Sequence, residues 1–445
     1  MTPAPSPATV ANCPRSRRVR YMYRLALTVA LALSVAACTP SDIAAGTDVE
    51  LTTLPPVNVT TTTTTAAPAP TVPTTTSTIT TTTTIPVPVG VPEPQAAAPA
   101  PSPGLAAGFT GEGVVTVAAG GAALYLEPDG EPFVTAREGL LFSARGMEGD
   151  WIEVFTTCDA PAWVRSSEVA AVPPAADAEI GRGFDFGEAV IVLDPGHGGP
   201  WNTGAASPAG MAEKTVNLDI ARRVRDLLRE SRSVDWATGE LFSGGDIPAA
   251  AWVISTRVGE GDAADYEAGL FYRSFLANAA NAHAMVAIHN NAGWEVRMDT
   301  PGSDVYYQSQ IPESRRFAKI MVEELLRSFV AFEADWVGAI ETGAKSRLSP
   351  REDNPQYYGI LRRSEMPTVI TEGAYIGNQT EADLLATPEF RQAYAEAIYR
   401  ALVRFLTTDD IGGGRDLDPV IWQGNAGSGD ARPDCVIPSQ EESGD

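Results

Sequence analysis

Four apolar residues, Val190–Leu193, run straight into Asp194-Pro195-Gly196, and this junction constrains the fold more than any other stretch. A short apolar run stopped by such a turn reads as a buried strand. Downstream, helix and strand patterns alternate. Glu213–Glu230 has helical periodicity, with Val216, Ile220, Val224 and Leu227 on its apolar side. Ala251–Thr256 reads as a strand, Gly269–His283 as a helix and Met285–His289 as a strand. Asp304–Gln308, Ser314–Phe329, Pro367–Glu372 and Pro388–Phe405 continue as strand, helix, strand and closing helix. The expected fold class over residues 188–407 is therefore α/β: a mostly parallel sheet with helices on both faces.

The rest of the chain is of different texture. Arg15–Arg24 is a basic segment, Leu25–Ala37 is apolar but too short for an ordinary membrane span, and Val35-Ala36-Ala37-Cys38 closes it. Residues 1–38 resemble a bacterial lipoprotein signal. That resemblance implies export, lipidation of Cys38 and a membrane anchor facing the cell wall; a plain secretory peptide is the alternative. Residues 39–107, with threonine runs at Thr60–Thr65 and Thr80–Thr84, hold no apolar periodicity and are expected to be a disordered tether. Residues 108–171 hold short strands between Gly/Asp turns, including Trp151–Phe155 and Ala162–Val164, and read as a small all-β barrel. The pieces LYLEPDG, GDWIEVF and AWV resemble a bacterial SH3-like domain. Trp151 and Trp163 are open to two readings, core packing or a patch that grips a wall polymer. Residues 172–187 read as a hinge and 408–445 as a loose acidic tail in which Val420-Ile421-Trp422 is a docking candidate.

Charge and cysteine content narrow the function. Lys+Arg number 32 against Asp+Glu 56, for a net charge of −24, which argues against a nucleic-acid partner. Four cysteines are too few for a disulfide scaffold, and none has CxxC spacing. Whether Cys158 and Cys435 pair stays open.

His197, His289 and Glu372 each stand at the end of a strand, and Glu213 opens the first helix. A sheet brings distant strand ends together at one crevice. Two imidazoles and a carboxylate, with water in the fourth place, make a catalytic zinc shell. A further carboxylate outside that shell can take the proton from the water. Asp194 is placed to orient His197 or to close its turn. Asn290 is a candidate for substrate contact, and Arg273 and Asn278 are candidate scaffold or cleft residues. His283 matches nothing and reads as structural.

DPGHGG, EKTVNL, FYRSFLANAA, AIHNNAG and VITEGAYIGN, in this order, resemble the zinc-dependent N-acetylmuramoyl-L-alanine amidases of the Amidase_3 type. The resemblance implies a zinc-exopeptidase/amidase-like fold and one Zn²⁺ held by His197, Glu213 and His289. It makes Glu372 the catalytic base and peptidoglycan the substrate, cut between muramic acid and L-alanine. Two departures stand out. Asn290 replaces a small residue of the family's SIHAN pattern, and Thr371-Glu372-Gly373-Ala374-Tyr375 replaces an aliphatic-Glu-aliphatic-Gly-Phe run. Ser231–Ala250 is an extra segment that reads as a lid, a partner-binding loop or an insertion without a role. Ala331–Gln356 falls where some members carry a regulatory helix, and no self-blocking ligand is evident there. A regulatory protein partner is compatible with either segment. Two rivals remain at this level: a zinc peptidase acting on wall peptides, and a non-catalytic wall-binding or regulatory protein.

Overall fold

A computed structural model describes residues 109–421 and 437, apart from 200–201, 260–267, 294–295, 340 and 352–355. The signal, Cys38, the tether and Cys435 lie outside the described residues.

The first layer is antiparallel. Its strands are β1 (Glu112–Val117), β2 (Ala122–Tyr125), β3 (Pro132–Ala136), β4 (Leu141–Glu148), β5 (Trp151–Phe155), β6 (Pro161–Arg165) and β7 (Val169–Val172). They are ordered β3-β2-β6-β5-β4-β1-β7, so β3 and β7 are the ends of a sheet rather than partners closing a barrel. The turns behave as their residues dictate: Asp129 and Gly149 both take positive φ, +57° and +59°. Trp151 belongs to the core. It is 5% exposed, with Tyr125 edge-on at 4.8 Å and the Arg165 guanidinium 3.8 Å over its ring. Trp163 is half-buried.

The second layer is the large sheet with its helices. In chain order these are β8 (Val190–Pro195), α1 (Glu213–Leu228), β9 (Arg232–Val234), β10 (Leu241–Ser243), β11 (Trp252–Ser255), α2 (Leu270–Ala279) and β12 (Ala284–Asn291). There follow β13 (Val296–Arg297), β14 (Asp304–Tyr307), α3 (Pro312–Phe329), β15 (Val337–Gly338), β16 (Ala344–Lys345) and β17 (Arg347–Leu348). The chain then forms α4 (Gly359–Arg363), β18 (Thr368–Tyr375), α5 (Gln379–Leu385), α6 (Pro388–Thr407) and β19 (Val420–Ile421). The six-stranded order is β11-β8-β12-β18-β14-β16. Pairing is parallel except at β14–β18, which is antiparallel, so the sheet is mixed.

Side-chain alternation along each central strand divides the core in two. Ile191, Leu193, Val286 and Ile288 pack with α1, α3 and α6 residues such as Val224, Phe317 and Phe405. Val190, Val192, Met285 and Ala287 enter a second cluster with Tyr272 and Leu276 of α2. That second cluster is continuous with Val114, Phe142, Ile152 and Phe155 of the antiparallel sheet. The small sheet is thus not a separate barrel; it shares a core with the α/β layer.

The extra segment, the stretch ahead of β18 and the hinge all carry structure. Ser231–Ala250 contains the β9–β10 hairpin, and Arg400 of α6 donates to the Gly239 carbonyl oxygen at 2.8 Å. Ala331–Gln356 supplies β15, β16 and β17. The stretch read as a hinge is packed: Ala175 donates its N–H to the Ala280 carbonyl oxygen, and Phe186 is 3% exposed. Val420–Ile421 does dock, in parallel with Arg347–Leu348. No helix among the described residues is long and apolar enough to cross a membrane.

Candidate metal centre

β8 ends at Pro195, and the chain turns through Gly196 into His197, whose φ is +63°. Such a backbone is unfavourable for a residue with a Cβ, so surrounding bonds must hold it. Arg273 does this from α2. Its Nη2 donates to the His197 carbonyl oxygen at 2.6 Å, and its Nη1 donates to the Pro195 oxygen at 2.9 Å and to Asp194 Oδ1 at 2.6 Å. Asp194 also accepts from Thr256 Oγ1 at 2.5 Å. Its role is therefore to anchor Arg273, which in turn secures the loop.

On the other side of the loop, His197 Nδ1 lies 2.8 Å from Asn202 Oδ1, an acceptor that places the proton on Nδ1. In the neutral ring Nε2 then carries the lone pair that a metal would take; in the protonated ring the same nitrogen donates to Glu213 Oε2 at 3.1 Å. His289 Nδ1 lies 3.1 Å from Glu213 Oε1, and the two imidazole rings are 4.8 Å apart, edge to face. Candidate ligand atoms of His197, Glu213 and His289 all fall within 4.8 Å of one another.

Glu213 is 3% exposed at the N-terminus of α1, where an acid is favoured. It accepts N–H groups from Ala205 at 2.9 Å and Asn290 at 3.1 Å, and from Asn217 Nδ2 at 3.2 Å. Burial alone would push its carboxyl up, but bonding to the two imidazoles outweighs this and holds it well below the usual carboxylate range. Burial also pulls both histidines down. For His197 the bond to Glu213 wins and the net shift is upward; for His289 burial, helped by the charge of His197, wins and the net shift is downward.

The donor set suits a zinc ion: one ionised carboxylate and two imidazoles converging, with the tautomer of His197 fixed from behind. Two glycines keep the cradle open. A Cβ on Gly196 would overlap the His289 ring, and one on Gly204 would stand 2.6 Å from both Glu213 Oε2 and His197 Cδ2. Asn290, 2% exposed, donates from Nδ2 to Asn217 Oδ1 at 2.9 Å. Its own Oδ1 has no partner among the described residues.

Glu372 is beside His289 in the parallel register of β12 and β18 and opposite Asp304 of β14. Burial, then the charges of Glu213 and Asp304, push its carboxyl well above the usual range, against the pull of Arg347 and Lys345. All four predicted site residues line one cavity of about 290 Å³, together with Asn290, Asn291, Tyr306, Arg347 and Tyr358. Arg347 is fixed there by donating to the hydroxyls of Tyr358 and Tyr306, both at 2.7 Å.

Other candidates are placed elsewhere. Asn278 spends its side chain on backbone, donating to the Arg363 oxygen and accepting the Glu365 N–H. It ties α2 to α4 and does not line the cavity. His283 accepts the Val190 N–H at 3.0 Å and sits 3.2 Å from the Ala176 oxygen, a structural role. Cys158 is disulfide-bonded, with its partner outside the described residues.

Sequence reasoning missed Arg257, Asn217, Asn202 and Arg347. Arg257 donates to the carbonyl oxygens of Pro195, Gly196 and Lys214, bracing the loop opposite Arg273. Only Asn217 had a signal within reach, since it follows Glu213 by one helical turn.

Residues 191–404 match the family model of N-acetylmuramoyl-L-alanine amidase. The germination-specific N-acetylmuramoyl-L-alanine amidase of Bacillus subtilis (strain 168) is 29% identical over 221 residues, 49% of this chain and 80% of that protein. The amidase AmiC of Neisseria meningitidis serogroup B is 26% identical over 256 residues, 51% of this chain and 55% of that protein. Among solved structures, AmiC2 of Nostoc punctiforme is 26% identical with a TM-score of 0.36, covering 49% of this chain and 97% of that one. The stretch that carries His197, Glu213, His289 and Glu372 is an N-acetylmuramoyl-L-alanine amidase catalytic domain of the Amidase_3 type.

Proposed function

We propose that this protein is a zinc amidase that hydrolyses the amide between the lactyl group of N-acetylmuramic acid and L-alanine in peptidoglycan. The observation that carries the reading is the convergence of His197, Glu213 and His289 beside Glu372 in one cavity. His197, Glu213 and His289 would hold the ion. Zinc, when bound, supplies a Lewis acid that acidifies water and polarises the amide carbonyl.

Glu372 then acts as general base. It takes a proton from the attacking water as the new C–O bond forms, and passes that proton to the amine nitrogen as the C–N bond breaks. Burial, with the nearby charges of Glu213 and Asp304, raises the proton affinity of this carboxyl, which suits a group that must take up a proton and return it. Arg347, fixed by two tyrosine hydroxyls, presents the positive charge that steadies the developing oxyanion.

The proposal extends to location. The basic and apolar N-terminal segments and the small residues before Cys38 support export and anchoring through a lipidated Cys38, with the tether giving reach into the wall.

Glu372→Gln tests the chemistry. The variant should retain zinc and digest purified wall roughly 10²–10⁴-fold more slowly. A variant as fast as the parent overturns the base assignment. A parent that releases peptides without N-terminal L-alanine overturns the amidase reading. The mass of the mature N-terminus tests the anchor: an unmodified terminus sinks it.

A further inference from the structure

We infer that the small antiparallel sheet is a working part of the metal centre, with Asp159 as a positioning residue that sets Arg273 and, through it, the His197 loop. The inference rests on the zinc reading above and concerns a residue outside the matched 191–404 stretch.

Asp159 stands in the turn between β5 and β6 at φ +55°. Its Oδ1 accepts the N–H of Tyr272 at 2.7 Å and its Oδ2 that of Phe271 at 3.2 Å. Two residues earlier, the Thr157 carbonyl oxygen accepts the Gly269 N–H at 2.8 Å. The first turn of a helix leaves its N–H groups without partners unless a side chain caps them. The N-cap of α2 is Gly269, which has no side chain to do so. The small sheet caps the helix instead, from more than a hundred residues earlier in the chain. Glycine is required for this, because a Cβ at 269 would overlap the Asp159 carboxylate.

The grip continues along α2. Tyr272 donates its hydroxyl to the Leu141 oxygen at 2.7 Å, and Phe275 meets Phe155 edge-on at 4.9 Å. Arg145 lies over both of those phenylalanine rings, at 5.3 and 5.4 Å. Arg273 follows Tyr272 directly and reaches the other way, its guanidinium donating to Ala268, Asp194, Pro195 and His197. One helical turn therefore receives the small sheet on one side and holds the His197 loop on the other.

The test uses the full chain with Asp159→Ala, Asp159→Asn, Gly269→Ala and, as a control in the same sheet core, Ile152→Val. Zinc affinity is read by competition with a chromogenic chelator, kcat and KM on soluble wall fragments, and folding by circular dichroism. Partners behind metal ligands are worth roughly 10–100-fold in affinity, so Asp159→Ala should weaken zinc on the order of tenfold. It should also lower kcat with KM unchanged. Asp159→Asn, which keeps a capping oxygen, should recover most of the loss. Gly269→Ala, which keeps the Asp159 carboxylate but pushes it off the helix start, should reproduce the loss even where Asp159→Ala fails to fold. Ile152→Val should lower the melting temperature without moving zinc affinity. Folded Asp159→Ala or Gly269→Ala protein with parental zinc affinity overturns the inference. So does a control that weakens zinc as much as they do. A parent that binds no zinc overturns the catalytic reading instead.

Discussion

At Gly196 the backbone passes so close to His289 that even a methyl group would overlap the imidazole ring. Gly196→Ala should therefore displace a metal ligand without touching its chemistry, weakening zinc roughly 100-fold while the fold survives. Chelator competition on the purified variant checks this, and parental affinity would refute it. The four residues assigned to the metal and the base stood out because each follows an apolar run or opens a helix, although β12 and β18 run two and three residues past His289 and Glu372. The bracing set was less legible. Arg257 acts on carbonyl oxygens of a loop some 60 residues earlier, a pairing that only tertiary structure creates. Arg347 lies in a stretch with no periodicity, so nothing local marks it as a cavity residue. Asn278 shares α2 with Arg273 but sits near the helix's other end, a difference that spacing alone does not resolve.

Among the elements, α5 shows how one buried carboxyl joins three of them. Glu381, 1% exposed, accepts the Tyr375 N–H at the end of β18 at 2.7 Å and the Val337 N–H of β15 at 2.8 Å. Burial outweighs those two bonds and pushes its carboxyl up to about 7, from 4.5. Across that window the folded protein keeps a proton that the unfolded chain has lost. Stability must then fall as pH rises from 4.5 to about 7, by up to roughly 3 kcal/mol. Glu381→Gln should lower stability overall but remove this part of the slope. Urea titrations at several pH values in the window measure it; parallel parent and variant profiles would contradict the assignment. At this scale most strands and helices were readable, since buried parallel strands are continuous apolar runs and the covering helices are amphipathic. The β9–β10 hairpin and β15–β17 escaped because they are two or three residues long and are held by partners far away in sequence. The reversal of β14 against β18 escaped as well, because β14 is buried along its whole length like its parallel neighbours and its side-chain pattern does not set it apart.

For the whole molecule, strand and helix patterning set an all-β stretch apart from an α/β stretch, but it could not show that the two share one interior. That sharing comes from α2, whose Tyr272 and Phe275 are covered by β4 and β5 of the other layer. A fragment cut at residue 188 would bare both aromatic rings, and would also leave the N–H groups of Gly269, Phe271 and Tyr272 with no acceptor from the small sheet. Exposed apolar surface joined to unpaired backbone is adhesive. Such a fragment should self-associate in light scattering where residues 109–445 remain monodisperse. Swapping this catalytic segment between wall enzymes would accordingly have to carry its neighbouring sheet along.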